Sequence, residues 1–218
     1  MKKQTGFTLI ELAIVLVIIG LLLGGVLRGQ ELINSARVKS LTREFQNIQV
    51  YIYGYQDRFR ALPGDDPAAV AHLAAATPGA PALAGNGLIN GLWNSPTPAD
   101  ESYLFWEHVR LAGLAPGSTD LNAAEFQPRN SNGGRIGIQS IAGTTPFTTI
   151  AGMTGAYAVC SDLILGRDAT QLDTTLDDGN TETGNLRVIA VADAPGNATP
   201  TATITAAPAA QYTVCMAI

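Results

Sequence analysis

Apolar residues run almost unbroken from Phe7 to Leu27 and then give way to a periodic pattern. The run is 21 residues long and contains one charge, Glu11. At a rise of about 1.5 Å per residue this is the length of a helix that spans a bilayer. Beyond Arg28 the chain turns polar, and Leu41, Phe45, Ile48, Ile52, Tyr55, Phe59 and Leu62 recur at alternating intervals of four and three. That spacing draws a seam along one side of a helix, with Arg37, Lys39, Arg43, Glu44, Gln49 and Asp57 lying off it. Gly29 is the only helix-weakening residue between Arg28 and Gly54, and no proline occurs before Pro63. The two patterns predict one helix from Thr8 to Ala61, roughly 80 Å long, apolar all round in its first half and amphipathic in its second. The seam is the face expected to pack on the rest of the protein, because an independent coiled coil needs a longer heptad series. Gly20, Gly24 and Gly25 weaken the helix within the apolar run, each by up to about 1 kcal/mol relative to Ala, or permit close packing of helices.

After the seam the pattern breaks into shorter units. Pro63-Gly64 is a stop signal, and Asp66 followed by Pro67 reads as the cap and first residue of a short helix from Pro67 to Ala75. Gly85-Asn86-Gly87 and Asn90-Gly91 are turn signals. Leu104, Phe105, His108, Val109 and Ala112 share one side of a helix that begins at Glu101, with Asp100 or Ser102 able to cap it and Gly113 to end it. Period-two alternation predicts strands at 135–139, 156–160, 186–191 and 212–216, with a helix from Ser161 to Leu176 between the second and third. The stretch from Pro195 to Pro208 is rich in Ala, Thr and Pro, with a short alternation from Thr201 to Thr205. Strands with few helices between them favour an antiparallel sheet. The expected fold class is therefore α+β, a long N-terminal helix packed on an antiparallel sheet.

The apolar run differs from a secretory signal peptide. Such a signal has an apolar core of about 7–15 residues followed by a small-residue cleavage site. Here the run is longer, no A-x-A pattern follows it, and the small residue, Gly6, comes before it. A carboxylate in hydrocarbon costs about 2–3 kcal/mol by insertion scales, so Glu11 is expected to have a partner. The string Gly6-Phe7-Thr8-Leu9-Ile10-Glu11 resembles the class III leader of type IV pilins and type II secretion pseudopilins. The resemblance implies that a prepilin peptidase cuts between Gly6 and Phe7 and methylates the new amino terminus at Phe7. It also implies that Glu11 is the family's assembly glutamate, and that the chain divides into a removable leader (1–6), a transmembrane and assembly helix (7–27), an amphipathic continuation (28–62) and a globular head (63–218). The competing reading is an ordinary membrane anchor with a chance glutamate. The segment Leu62-Pro63-Gly64-Asp65-Asp66-Pro67 and the helix through Phe105-Trp106-Glu107-His108 resemble the head of a subgroup of pilin-like proteins.

Charge and cysteine content narrow the setting. Lys2 and Lys3 precede the span and are opposed by Arg28 alone, which keeps the N-terminus cytoplasmic and sends the head to the periplasm or cell exterior. After residue 60 the chain has five Arg, no Lys and fourteen Asp or Glu, a net of −9. An acidic head offers no electrostatic footprint for nucleic acid. Cys160 and Cys215 allow one intrachain bridge, or else two buried thiols. The resemblance favours the bridge, since type IV pilins typically close the last part of the head with a disulfide.

Candidate chemistry is sparse. His72 and His108 are 36 positions apart and match no metal-ligand spacing, so a packed or surface role is expected for both. No P-loop, G-x-S-x-G or G-x-G-x-x-G motif is present, and Trp93 and Trp106 read as core or groove residues. One acidic cluster rises above this background: Asp173, Asp177, Asp178, Asn180 and Glu182. Calcium takes six to eight oxygens from flexible loops, and some pseudopilins bind it in a C-terminal loop. The pattern misses the EF-hand template, and Asp-Gly-Asn is also a plain turn signal. No cofactor other than calcium is indicated. The expected function is a structural subunit of a type IV pilus or a type II secretion pseudopilus. Its expected partners are the prepilin peptidase, copies of itself or other pilins, the inner-membrane assembly platform and, before assembly, the membrane itself. A minor or tip pilin acting as an adhesin or ligand-binding module is the alternative. A membrane-tethered enzyme finds no support in the residues.

Overall fold

The computed structural model describes residues 9–79, 83–142, 150–190 and 209–218. Its chain divides into two units, Met1–Arg37 and Val38–Ile218. One helix, α1 (Leu9–Phe59, 51 residues), contributes to both. It passes Gly20, Gly24, Gly25 and Gly29 without interruption. It ends two residues earlier than the periodicity predicts, because Arg60 adopts a left-handed backbone with φ of 56° and closes the last turn through its amide on the Gln56 carbonyl oxygen (2.9 Å).

In the first unit every described residue from 9 to 28 is exposed, including the large apolar side chains from Leu9 to Leu27. The second unit holds the core. Val38, Leu41, Phe45, Ile48, Ile52 and Tyr55 are the buried residues of α1, so the expected seam gains Val38 at its start, while Phe59 is only half-buried and Leu62, also buried, lies beyond the helix. Leu41, Phe45, Ile48 and Ile52 share one apolar cluster with Phe105, Trp106 and Val109 of α3 (Glu101–Leu111) and with the inward positions of the sheet. Burying each such side chain contributes about 1.5–3 kcal/mol, which fixes the amphipathic half of α1 to the head.

The sheet has four strands, β1 (Ile136–Ser140), β2 (Tyr157–Leu165), β3 (Leu186–Ala190) and β4 (Gln211–Ala217), in the order β1-β2-β4-β3 with every pairing antiparallel. Side chains alternate across it. Ile136, Ile138, Val159, Leu186, Val188, Val214 and Met216 face the main core. Ala158, Cys160, Ile189, Cys215 and Ala217 face a second, smaller cluster with Trp93, Ile150 and Met153. Gly137 lies beneath Trp93, where a Cβ would overlap the Trp93 carbonyl. Cys160 and Cys215 are register partners on β2 and β4 and are joined by a disulfide.

Two expected helices differ in extent, and a third differs in how it is capped. The helix expected from Ser161 is strand as far as Leu165, and α4 covers Gly166–Leu176. Leu163 sits at φ 55° in a register shift between Ser161 and Ile164, and Ile164 and Leu165 then pair with Tyr212 and Gln211. Tertiary pairing here overrides a sequence that reads as helical. The helix expected over Pro67–Ala75 is a single turn, α2 (Ala69–His72). Leu73 leaves it in an extended conformation, and Leu73 and Ala76 are drawn into a cluster with Tyr55 and Ala112. Neither Asp100 nor Ser102 caps α3 with its side chain. The Asp100 carboxylate accepts from the Ser95 hydroxyl (2.5 Å) and the Ser102 hydroxyl donates to the Leu92 carbonyl (2.8 Å), so both hold the preceding loop instead. The alternation at Thr201–Thr205 and the segment Pro195–Pro208 lie outside the described residues.

Candidate functional site

Gly6 and Phe7 lie outside the described residues. Glu11 stands in the first turn of α1. The apolar part of α1 reaches a mean hydropathy of 2.8 with none of that window buried, so by length and composition it can cross a membrane. An apolar surface of this size stays out of water only against lipid or against other helices.

In the head, the LPGDDP segment ties three elements together. Gly64 has φ of 91°, and a Cβ there would overlap the Glu101 carbonyl at the start of α3. Its amide donates to His108 Nδ1 (2.9 Å), and His108 Nε2 faces the Thr77 carbonyl oxygen (2.9 Å). The ring is completely buried, and burial holds its pKa below the ordinary histidine value. Asp65 accepts from the amides of Gly85 (2.5 Å), Asn86 (3.1 Å) and Gly87 (2.7 Å), which locks the turn that follows. Asp66, fully buried, accepts from the Tyr55 hydroxyl (2.7 Å) and the Ala68 amide (2.8 Å), and pairs with His72 Nδ1 (2.6 Å). Burial alone would raise the Asp66 pKa. Hydrogen bonds from His72, Tyr55 and the Ala68 amide outweigh that effect and hold it below the usual carboxylate range.

Beside this segment lies an open cavity of about 600 Å³, lined in part by Phe59, Arg60, Leu62, Pro67 and His72. The sequence flags none of these as a site. His72 reads there as a lone histidine, since no local pattern reveals that a buried carboxylate meets the ring.

The acidic cluster is brought together only in part. Asp173, at the end of α4, and Asp177 and Asp178, just after it, each offer a carboxylate oxygen within 4.8 Å of the others. Glu182 lies outside that group. The Asn180 side-chain oxygen accepts the Glu182 amide (3.2 Å), Asp178 accepts the Asn180 amide (2.8 Å) and the Thr183 hydroxyl (2.7 Å), and Asp177 accepts the Leu186 amide (2.8 Å). Asp173 differs from these. It is fully buried, and neither of its carboxylate oxygens has a hydrogen-bond partner. Burial, then the charges of Asp178 and Asp177, push its pKa up to about 6. A buried carboxylate without a donor is costly. A hard divalent cation, with remaining positions filled by water, satisfies all three groups, so the residues fit calcium.

Residues 1–27 match the family model described as the prokaryotic N-terminal methylation motif. Neither a curated protein nor a solved structure matches the chain. The chain thus carries the class III prepilin leader of type IV pilins and pseudopilins, on an α+β, pilin-like architecture. That leader implies processing by the prepilin peptidase.

Proposed function

We propose that this type IV pilin-like protein is a structural subunit of a type IV pilus or a type II secretion pseudopilus. The observation that carries this reading is the methylation motif over residues 1–27, on a helix whose described residues from 9 to 28 are all exposed. In this reading the precursor is anchored in the inner membrane with its head in the periplasm. Cleavage between Gly6 and Phe7 frees an amino terminus, which is methylated. The assembly platform then adds the subunit to a filament of its own copies or of other pilins. Helix packing through residues 7–27 supplies the bulk of the association. Glu11 stands four positions beyond Phe7, within reach of a neighbouring subunit's charged amino terminus. In low dielectric the value of such a pair depends steeply on geometry, so its role is to set how far an incoming subunit rises.

The test is Glu11→Ala in the native host. The variant should be cleaved normally and stay in the membrane while sheared filaments lack it. Normal incorporation would overturn the register role. The second reading, a minor or tip pilin acting as an adhesin or ligand-binding module, is supported by the open cavity in an acidic head. Subunit abundance separates the two, since a major subunit dominates sheared filaments and a tip subunit is scarce.

Calcium binding by Asp173, Asp177 and Asp178 is proposed on the orphaned oxygens of Asp173. A cation there would hold the end of α4 to the turn that leads into β3.

A further inference from the structure

Arg60 occupies a position whose backbone favours glycine. It is the first residue beyond α1, at φ 56°. A non-glycine residue in this region is strained by the approach of its Cβ to the backbone, and glycine would end the helix without that cost. Such strain is characteristic of sites where the side chain is needed. Among the described residues the Arg60 guanidinium has no hydrogen bond or ion pair.

Arg60 lines the 600 Å³ cavity together with His72. That volume lies within the range of small-molecule sites, about 300–1,000 Å³. The His72 side chain is 30% exposed and stacks on Phe59, with ring centroids 5.2 Å apart. Its Nδ1 is engaged by the buried Asp66 carboxylate (2.6 Å). This fixes the tautomer and leaves Nε2 without a protein partner among the described residues. A carboxylate behind a histidine orients the ring and presents the opposite nitrogen to a ligand.

Two acids, Asp65 and Asp66, also line the cavity, and both are committed inward. Asp65 holds three backbone amides, and Asp66 holds Tyr55, Ala68 and His72. The acids of this wall are thus hydrogen-bonded within the protein, while its two basic side chains are available to a ligand. Phe59, Leu62 and Pro67 add an apolar floor.

We propose that this cavity binds a small organic anion, its carboxylate or phosphate oxygens held between the Arg60 guanidinium and His72 Nε2–H and its apolar body resting on Phe59 and Pro67. The site is independent of which filament the subunit serves, and it accounts for an arginine at a left-handed position.

The full-length protein, solubilised in detergent and labelled in its histidines, provides the test. With only two histidines, His72 reports on the cavity and the buried His108 serves as internal control. Benzoate, phenyl phosphate and the neutral isostere benzamide are titrated at millimolar concentration. At least one anion should shift the His72 ring signals saturably, leaving those of His108 in place, and benzamide should not. A response to benzoate alone assigns a carboxylate ligand, and a response to phenyl phosphate alone assigns a phosphate. Arg60→Gln should weaken binding by about tenfold or more. Arg60→Gly should weaken it equally while raising the melting temperature, because the backbone strain is relieved. The proposal is overturned if neither anion gives a saturable shift, if benzamide binds as well, or if Arg60→Gln binds like the parent.

Discussion

The Gly64 amide donates to Nδ1 of His108 at 2.9 Å, across 44 positions of sequence. With Nε2 on the Thr77 carbonyl oxygen, the ring is held neutral in a single tautomer and joins the LPGDDP segment to α3. The His108 pKa is depressed in the folded state, so the unfolded chain binds the proton more readily. Its contribution is fully present above the unfolded value of about 6.5 and is lost as pH falls toward the folded value.

His108→Gln leaves a buried donor or acceptor without its partner and should destabilise the head by about 2–3 kcal/mol at neutral pH. Chemical denaturation between pH 7 and pH 5 should show the parent losing stability relative to the variant. Parallel pH profiles for the two proteins would contradict the assignment.

Asp173 titrates in the opposite sense. Its folded pKa of about 6 lies above the ordinary aspartate value of 3.8, so protonation stabilises the fold, and that contribution fades as pH rises through 6. Without calcium, Asp173→Asn should therefore be more stable than the parent at pH 7.5, by roughly 1–2 kcal/mol, and nearly equal to it at pH 4. Millimolar calcium should reverse the order by raising the melting temperature of the parent alone. An unchanged parent melting temperature in calcium would discard the cation site.

Gly64→Ala tests the close approach of the turn to α3. The substitution places a methyl group against the Glu101 carbonyl at a left-handed φ. It should cost more than about 2 kcal/mol. Gly87, also at positive φ but in open space, is the control, and Gly87→Ala should cost about 1 kcal/mol. Equal costs would show that the steric contact with α3 contributes nothing.

The disulfide closes a 55-residue separation between register partners of two neighbouring strands. Replacing both cysteines by serine should lower stability by about 2–4 kcal/mol, as expected for a loop of this length. Denaturation of the double variant beside the oxidised parent measures the difference, and matching curves would remove the bridge from the stability of the head.

The sequence by itself determined the parts whose signal is local and repeated. The apolar run, Glu11 and the seam from Leu41 to Tyr55 are read directly, because a helix turns spacing into a face without help from the rest of the chain. The four strand cores are legible for the same reason. Only the tertiary structure decided that residues 161–165 extend β2, since pairing with β4 outweighs local preference there. It alone decided that Asp66 meets Tyr55 and His72, that Gly64 meets His108, and that Asp173 is buried beside Asp177 and Asp178 while Glu182 is not. These contacts join residues whose side chains converge only after the helix, the turn and the sheet have packed, and no spacing along the chain encodes where a side chain will find its partner.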